Sequence, residues 1–332
     1  MNFEKKLEQI GIFPEEKVKI DKKNEIAKSI AEKLCKNCEQ LSEIYNEIYM
    51  RIYNCDLYYA EIATQFNGVF YYYKNNSIYI SREKQVDDYL MHEMIHYIQN
   101  FSKLGNKAKK IGLCRFEDYK ILALGINEAI VQYITAKALG NELQRINVGN
   151  ISIYTNSPTY YKYLTSLIYQ VMYFVGENEA ISSAIKSDEE FIEKLYNTYE
   201  EQTEKILKKF DDILEENNEE KIVELYFETQ ELIYSVYFNK VVKYFTSTKD
   251  VDEQVEKLEK YEEFIGKILG EDERNNKFID FKNRTESKLL KEYVEISRKT
   301  SRNSLPVLYK NAIHRAFSKI ANFFKRRKLE DR

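Results

Sequence analysis

Ten glycines and three prolines among 332 residues leave this chain few places at which to stop a helix. Glycine weakens a helix and proline ends one, so their scarcity, with Lys, Glu, Ile and Leu abundant, points to long helices rather than a turn-rich β fold. Apolar residues make up 43% of the chain, enough for a substantial core. The spacing of Ile26, Ile30, Leu34, Leu41, Ile44 and Ile48 predicts an amphipathic helix over 22–50. One short region departs from this pattern. Leu57 to Ile62, Gly68 to Tyr73 and Ser77 to Ser81 are rich in Tyr, Ile, Val and Phe and read as strands. Lys74-Asn75-Asn76 joins the last two as a hairpin turn, because Asn tolerates left-handed backbone.

Helical periodicity returns after Ser81 and holds to about Phe101. A second helix is expected from about Asp118 to Leu139 and a third from about Thr159 to Phe174. From Asn178 to about Thr300 the chain reads as a succession of charged amphipathic helices. The expected class is therefore α+β, mainly helical, with a small antiparallel sheet and an all-helical C-terminal half. The expected division is 1–178 as one domain and 179–332 as a second, helical one.

The chain has three histidines, and two of them flank a glutamate in His92-Glu93-Met94-Ile95-His96. Residues four apart share one helical face, so both imidazoles can reach a single ion. Glu93 lies one step round the helix, where it can take a proton from a water at that ion. Neutral imidazole suits Zn²⁺, and a catalytic zinc needs a third protein ligand and one open position. His314, the remaining histidine, sits far along the chain in a basic tail. Glu128 is the better third ligand, being the one acidic residue in the apolar stretch Gly125 to Thr135. A buried carboxylate is costly unless paired or metal-bound. Glu117 and Glu142 are weaker candidates, in polar settings at helix ends. Gly125 and Ala129 are small and would let this helix approach the metal helix closely. Gln132, four residues after Glu128, faces the same side and is placed to accept a hydrogen bond from a ligand imidazole.

These pieces, His92-Glu93-Met94-Ile95-His96 followed by Asn127-Glu128, resemble the gluzincins, zinc peptidases whose third ligand is a glutamate on a downstream helix. The resemblance covers roughly residues 25 to 175 and implies a zincin-like core, with an edge strand lining the substrate cleft. It implies His92, His96 and Glu128 as ligands, Asn127 and Gln132 in support, and hydrolysis of peptide bonds in peptides or proteins. Glu93 would be general base toward a zinc-activated water and would pass the proton to the leaving amine. A tyrosine often stabilises the oxyanion in such enzymes; Tyr154, Tyr160 and Tyr161 are the candidates here, and Tyr133 a further one. One departure matters. The usual family pattern has Asp four residues after the ligand Glu, whereas this chain has the neutral Gln132, which polarises its histidine less.

Other features carry less. Cys35-Lys36-Asn37-Cys38 lacks a second pair for a structural zinc and a preceding strand for a redox site, so it reads as two half-buried helix residues. Four cysteines are too few for a disulfide scaffold, and Met1 to Glu8 contains no apolar signal segment, so the expectation is a cytoplasmic protein. Residues 298–332 hold 11 Lys/Arg against Glu330 and Asp331, a net +9 within a total of −3. Within that tail, 303–328 has the pattern of a basic amphipathic helix. It suits peripheral contact with an anionic membrane, or docking on the domain by its apolar face. No nucleic-acid fold signature accompanies it, so nucleic acid is not the expected partner. Two rival functions stand beside the peptidase: a zincin-fold binding or regulatory module without turnover, and a membrane-surface or nucleic-acid adaptor acting through the tail.

Overall fold

A computed structural model describes residues 3–100, 110–117, 120–149, 151–247, 260 and 263–268. The chain forms two compact units, Met1–Arg145 with Tyr154–Thr229, and Ile146–Ile153 with Gln230–Arg332. The first unit begins with α1 (Phe3–Gln9), β1 (Ile12–Lys17), α2 (Ile20–Asn37), α3 (Tyr45–Tyr53), β2 (Asp56–Ile62), β3 (Val69–Tyr72) and β4 (Ser77–Ile80). Helix α4 (Asp88–Gln99) follows, then three short strands, β5 (Lys110–Ile111), β6 (Cys114–Glu117) and β7 (Lys120–Leu122), and helix α5 (Leu124–Ala138). After the hairpin β8 (Gln144–Val148) and β9 (Ile151–Thr155) come α6 (Lys162–Val175), α7 (Glu177–Lys186), α8 (Glu190–Tyr199) and α9 (Thr203–Glu215). Helix α10 (Glu219–Ser247) follows.

The helix expected over 22–50 is broken. Cys38 leaves helical geometry at φ −124, ψ 85, and Glu39–Ile44 forms a tighter 3₁₀ segment before α3. Leu41 stays buried in that segment, so the apolar spacing runs through the break and hides it from the sequence. The three expected strands are present. Asn76 takes φ 53 in the turn between β3 and β4, in the left-handed region that asparagine tolerates. The sheet order is β1-β2-β4-β3. The β3–β4 pair is antiparallel, as expected; β1, which sequence reading does not anticipate, pairs antiparallel with β2, and the central pair β2–β4 is parallel, which makes the sheet mixed. Leu7, Ile12, Ala60, Tyr72 and Tyr79 form an apolar cluster on it.

Strands β5 to β7 form an antiparallel meander that sequence reading does not anticipate. Runs of two to four residues carry too little periodicity to register. The helix expected from Asp118 therefore starts only at Leu124, after Ala123 turns the chain at φ 61. Past residue 178 the described residues are helical, as expected. However, α7, α8 and α9 belong to the first unit together with α4 and α5, not to a separate body. Among the described residues no helix is long and apolar enough to cross a membrane. The tail 303–328 and His314 lie outside the described residues.

Candidate metal centre

The centre is built on two helices that lie deep in the first unit. Asp87 caps α4, its carboxylate accepting from Leu90 N at 3.0 Å, and Leu90, Met91, Met94, Ile95 and Ile98 are buried along it. Helix α5 is buried on almost every side. It has no side-chain cap of its own; Asp211, on α9, accepts from Gly125 N at 2.6 Å and from the backbone of Ala123. Gly125 is needed for this contact rather than for the approach of α4. A Cβ there would lie 2.2 Å from the Phe210 carbonyl oxygen, so the glycine admits α9.

His92, His96 and Glu128 converge, with one ligand atom from each lying within 4.8 Å of the others. His92 Nε2 is 3.2 Å from Glu128 Oε2, His96 Nε2 is 3.3 Å from Glu128 Oε1, and the two Nε2 atoms are 3.0 Å apart. Tetrahedral zinc, with bonds of about 2.0–2.1 Å, sets neighbouring donors about 3.3 Å apart, so the spacing fits. The hydrogen bonds behind the rings strengthen that fit. His92 Nδ1 lies 2.8 Å from Gln132 Oε1, while Gln132 Nε2 donates to Asp88 Oδ2 at 3.2 Å and Ser157 Oγ at 2.9 Å. An ionised carboxylate only accepts, so Asp88 holds the Gln132 amide with its oxygen toward His92, and His92 carries its proton on Nδ1. His96 Nδ1 faces Gln99 Oε1 at 3.2 Å in the same way. With the rings neutral, both Nε2 lone pairs point at one small space beside a carboxylate, an arrangement that could hold a metal ion.

The electrostatics agree. Burial would lower the His96 pKa, but the adjoining Glu128 carboxylate overrides it and lifts it to about 9. Burial would likewise raise Glu128, and His96 and His92 hold it well below the usual carboxylate range. His96 and Glu128 thus stabilise each other's charged forms. Glu93, by contrast, has its carboxyl pushed up by burial against the pull of both histidines, and its Oε2 accepts from Tyr71 N at 3.2 Å.

Tyr71 belongs to the edge strand β3, and it lines a cleft of about 440 Å³ that opens on His92, Glu93, His96 and Glu128. Tyr160 and Tyr161 line the same cleft, their ring centroids 5.5 and 5.9 Å from the His92 ring. They stack at 4.2 Å. Burial raises both phenols, Tyr160 to about 12 and Tyr161 further, under the added influence of Glu128. Both are therefore neutral donors at physiological pH. Tyr161 takes φ 50, uncommon for an aromatic residue, and is held there by Thr165 N and Oγ1, which donate to its carbonyl at 2.9 and 3.0 Å. Ser157 Oγ donates to the Tyr160 carbonyl at 2.6 Å and so ties this turn to Gln132.

Two sequence candidates fall elsewhere. Tyr154 packs on Tyr169 at 5.8 Å and is not among the cleft-lining residues; Tyr133 donates to Glu177 Oε1 at 3.0 Å. Asn127 reaches Gln99 and Leu113 N instead of a ligand histidine. Asp88, Gln99, Ser157 and Asp211 escape sequence reading; of these Asp88, four residues before His92, and Gln99, three after His96, had a helical-face signal. Cys35 and Cys38 are free thiols, one partly buried and one buried. No family model, no curated protein and no solved structure matches this chain.

Proposed function

We propose that this protein is a zinc-dependent metallopeptidase of the gluzincin kind. One observation carries the reading: His92, His96 and Glu128 present donors at tetrahedral spacing, in a cleft that Glu93 also lines. When bound there, zinc supplies Lewis acidity, making water more acidic and a carbonyl more electrophilic. The side chains do the rest. Glu93 accepts the proton of the attacking water and delivers it to the leaving amine. Its hydrogen bond from Tyr71 N holds the carboxylate in place. Tyr161, with Tyr160 stacked on it, donates to the oxyanion as the carbonyl becomes tetrahedral.

The cleft walls favour a polypeptide over a phosphoester. Tyr71, Tyr73, Phe116, Ile121 and Leu214 are apolar or aromatic, and no Lys or Arg is among the described lining residues. Recognition of phosphate would call for such cations. A purely structural zinc site has no use for Glu93, which argues against a binding module without turnover.

The test is a peptide-library digest by protein purified without chelators or metal-affinity resin, alongside Glu93→Gln. Cleavage that depends on added zinc and disappears in Glu93→Gln is expected. Zinc uptake without cleavage of any peptide would contradict the peptidase reading while leaving the metal centre standing.

A further inference from the structure

We infer that the β5–β7 meander fixes the ring orientation of His96, through a relay of amides that starts from one backbone N–H. The inference rests on the metal-centre reading above. Leu113 N, in the β5–β6 turn, donates to Asn127 Oδ1 at 2.9 Å. A backbone N–H can only donate, so the Asn127 amide has one orientation, with its oxygen toward the turn. Asn127 Nδ2 donates to Gln99 Oε1 at 3.3 Å, and Gln99 Nε2 donates back to Asn127 Oδ1 at 3.2 Å. The second amide is thereby oriented by the first. Gln99 Oε1 then faces His96 Nδ1 at 3.2 Å, which only a protonated Nδ1 satisfies. Nε2 is left with its lone pair directed at His92 and Glu128.

Gln99 and Asn127 are 1% and 2% exposed, so little of either amide is open to water. Gly112 closes the space over them. At φ +58 it brings the turn so near that a Cβ would lie 2.2 Å from Asn127 Oδ1 and 2.6 Å from Gln99 Cδ. Ser187 Oγ accepts from Gly112 N at 2.7 Å and donates to the Gln99 carbonyl at 2.8 Å, joining the turn to the end of α4. Gln99, Asn127 and Gly112 are thus positioning residues: each acts on the metal only through His96.

With three histidines in the chain, ring ¹⁵N–¹H spectra of selectively labelled protein assign each tautomer. The relay predicts His96 with its proton on Nδ1, both in zinc-loaded protein and in metal-free protein at a pH high enough for a neutral ring. Gln99→Met and Gly112→Ala should each bind zinc about 10- to 100-fold more weakly in chelator competition, with helical circular dichroism unchanged. The His96 Nδ1 proton should also exchange faster with solvent in both. Zinc bound through Nδ1 of His96, or wild-type zinc affinity in a folded Gln99→Met, would overturn the relay. The tautomer decides it even if Gly112→Ala fails to fold. Wild-type protein that takes up no zinc would refute the metal centre, and the metal-free tautomer would still decide the relay.

Discussion

His92 and His96 sit one helical turn apart on α4, yet they are held from opposite directions by different kinds of group. His92 is oriented from α5 and the turn before α6, through Gln132, and the chain of bonds ends on the fixed anion Asp88. His96 is oriented from a short-stranded meander, through Gln99 and Asn127, and the chain ends on the neutral N–H of Leu113. In both cases a neutral amide stands where a carboxylate would share more of the metal's charge. The His92 side is thus electrostatically anchored within a helical framework, whereas the His96 side depends on the course of a short-stranded, loop-like element. The two should fail differently.

The largest effect is expected at Glu93, which neither support touches. Glu93→Gln should lower peptide hydrolysis by about 10²- to 10⁴-fold while zinc content stays at the wild-type level, since the residue moves a proton without holding the ion. Comparison of the two supports comes next. Gln132→Met strands Asp88 Oδ2 as well as His92, so it should weaken zinc binding and also destabilise the fold by about 1–3 kcal/mol in urea unfolding. Gln99→Met strands only neutral partners, and its loss should register mainly in metal affinity. Equal stability losses in the two variants would erase the distinction.

Tyr161→Phe should reduce turnover by about 10- to 100-fold without changing zinc affinity, while Tyr154→Phe, outside the cleft, should change neither. Smaller still is the effect of removing a cap. Asp211→Ala should cost about 0.5–2 kcal/mol of stability, because the first N–H groups of α5 lose their acceptor. The pH dependence of the metal-free protein gives the finest test. The folded pKa of His96 is raised from 6.5 to about 9, so its contribution to stability is complete below 6.5 and is lost as pH rises through 9. Metal-free protein should therefore lose thermal stability across that window, and zinc-loaded protein should not.

Much of this site was legible in the chain because helical spacing makes it so. His92 and His96 four apart, and Gln132 four beyond Glu128, follow from one period. The support of His96 was not legible, because it needs a backbone N–H from strands too short to show a pattern. Asp211 lies 86 residues from Gly125, and the periodicity of α9 announces an apolar face without saying what it covers. The same blindness set the expected domain boundary at 178, before helices that complete the first unit. The parallel pairing of β2 with β4 depends on a crossover that strand composition does not encode.

The proposed centre holds one zinc ion among His92, His96 and Glu128. Elemental analysis of protein purified without chelators or metal-affinity resin, compared with Glu128→Ala, tests it most directly. Close to one zinc per wild-type chain and a sharp loss in the variant are expected. A wild-type chain that holds no zinc and takes up none on dialysis, or a Glu128→Ala chain that holds it as firmly, would contradict it.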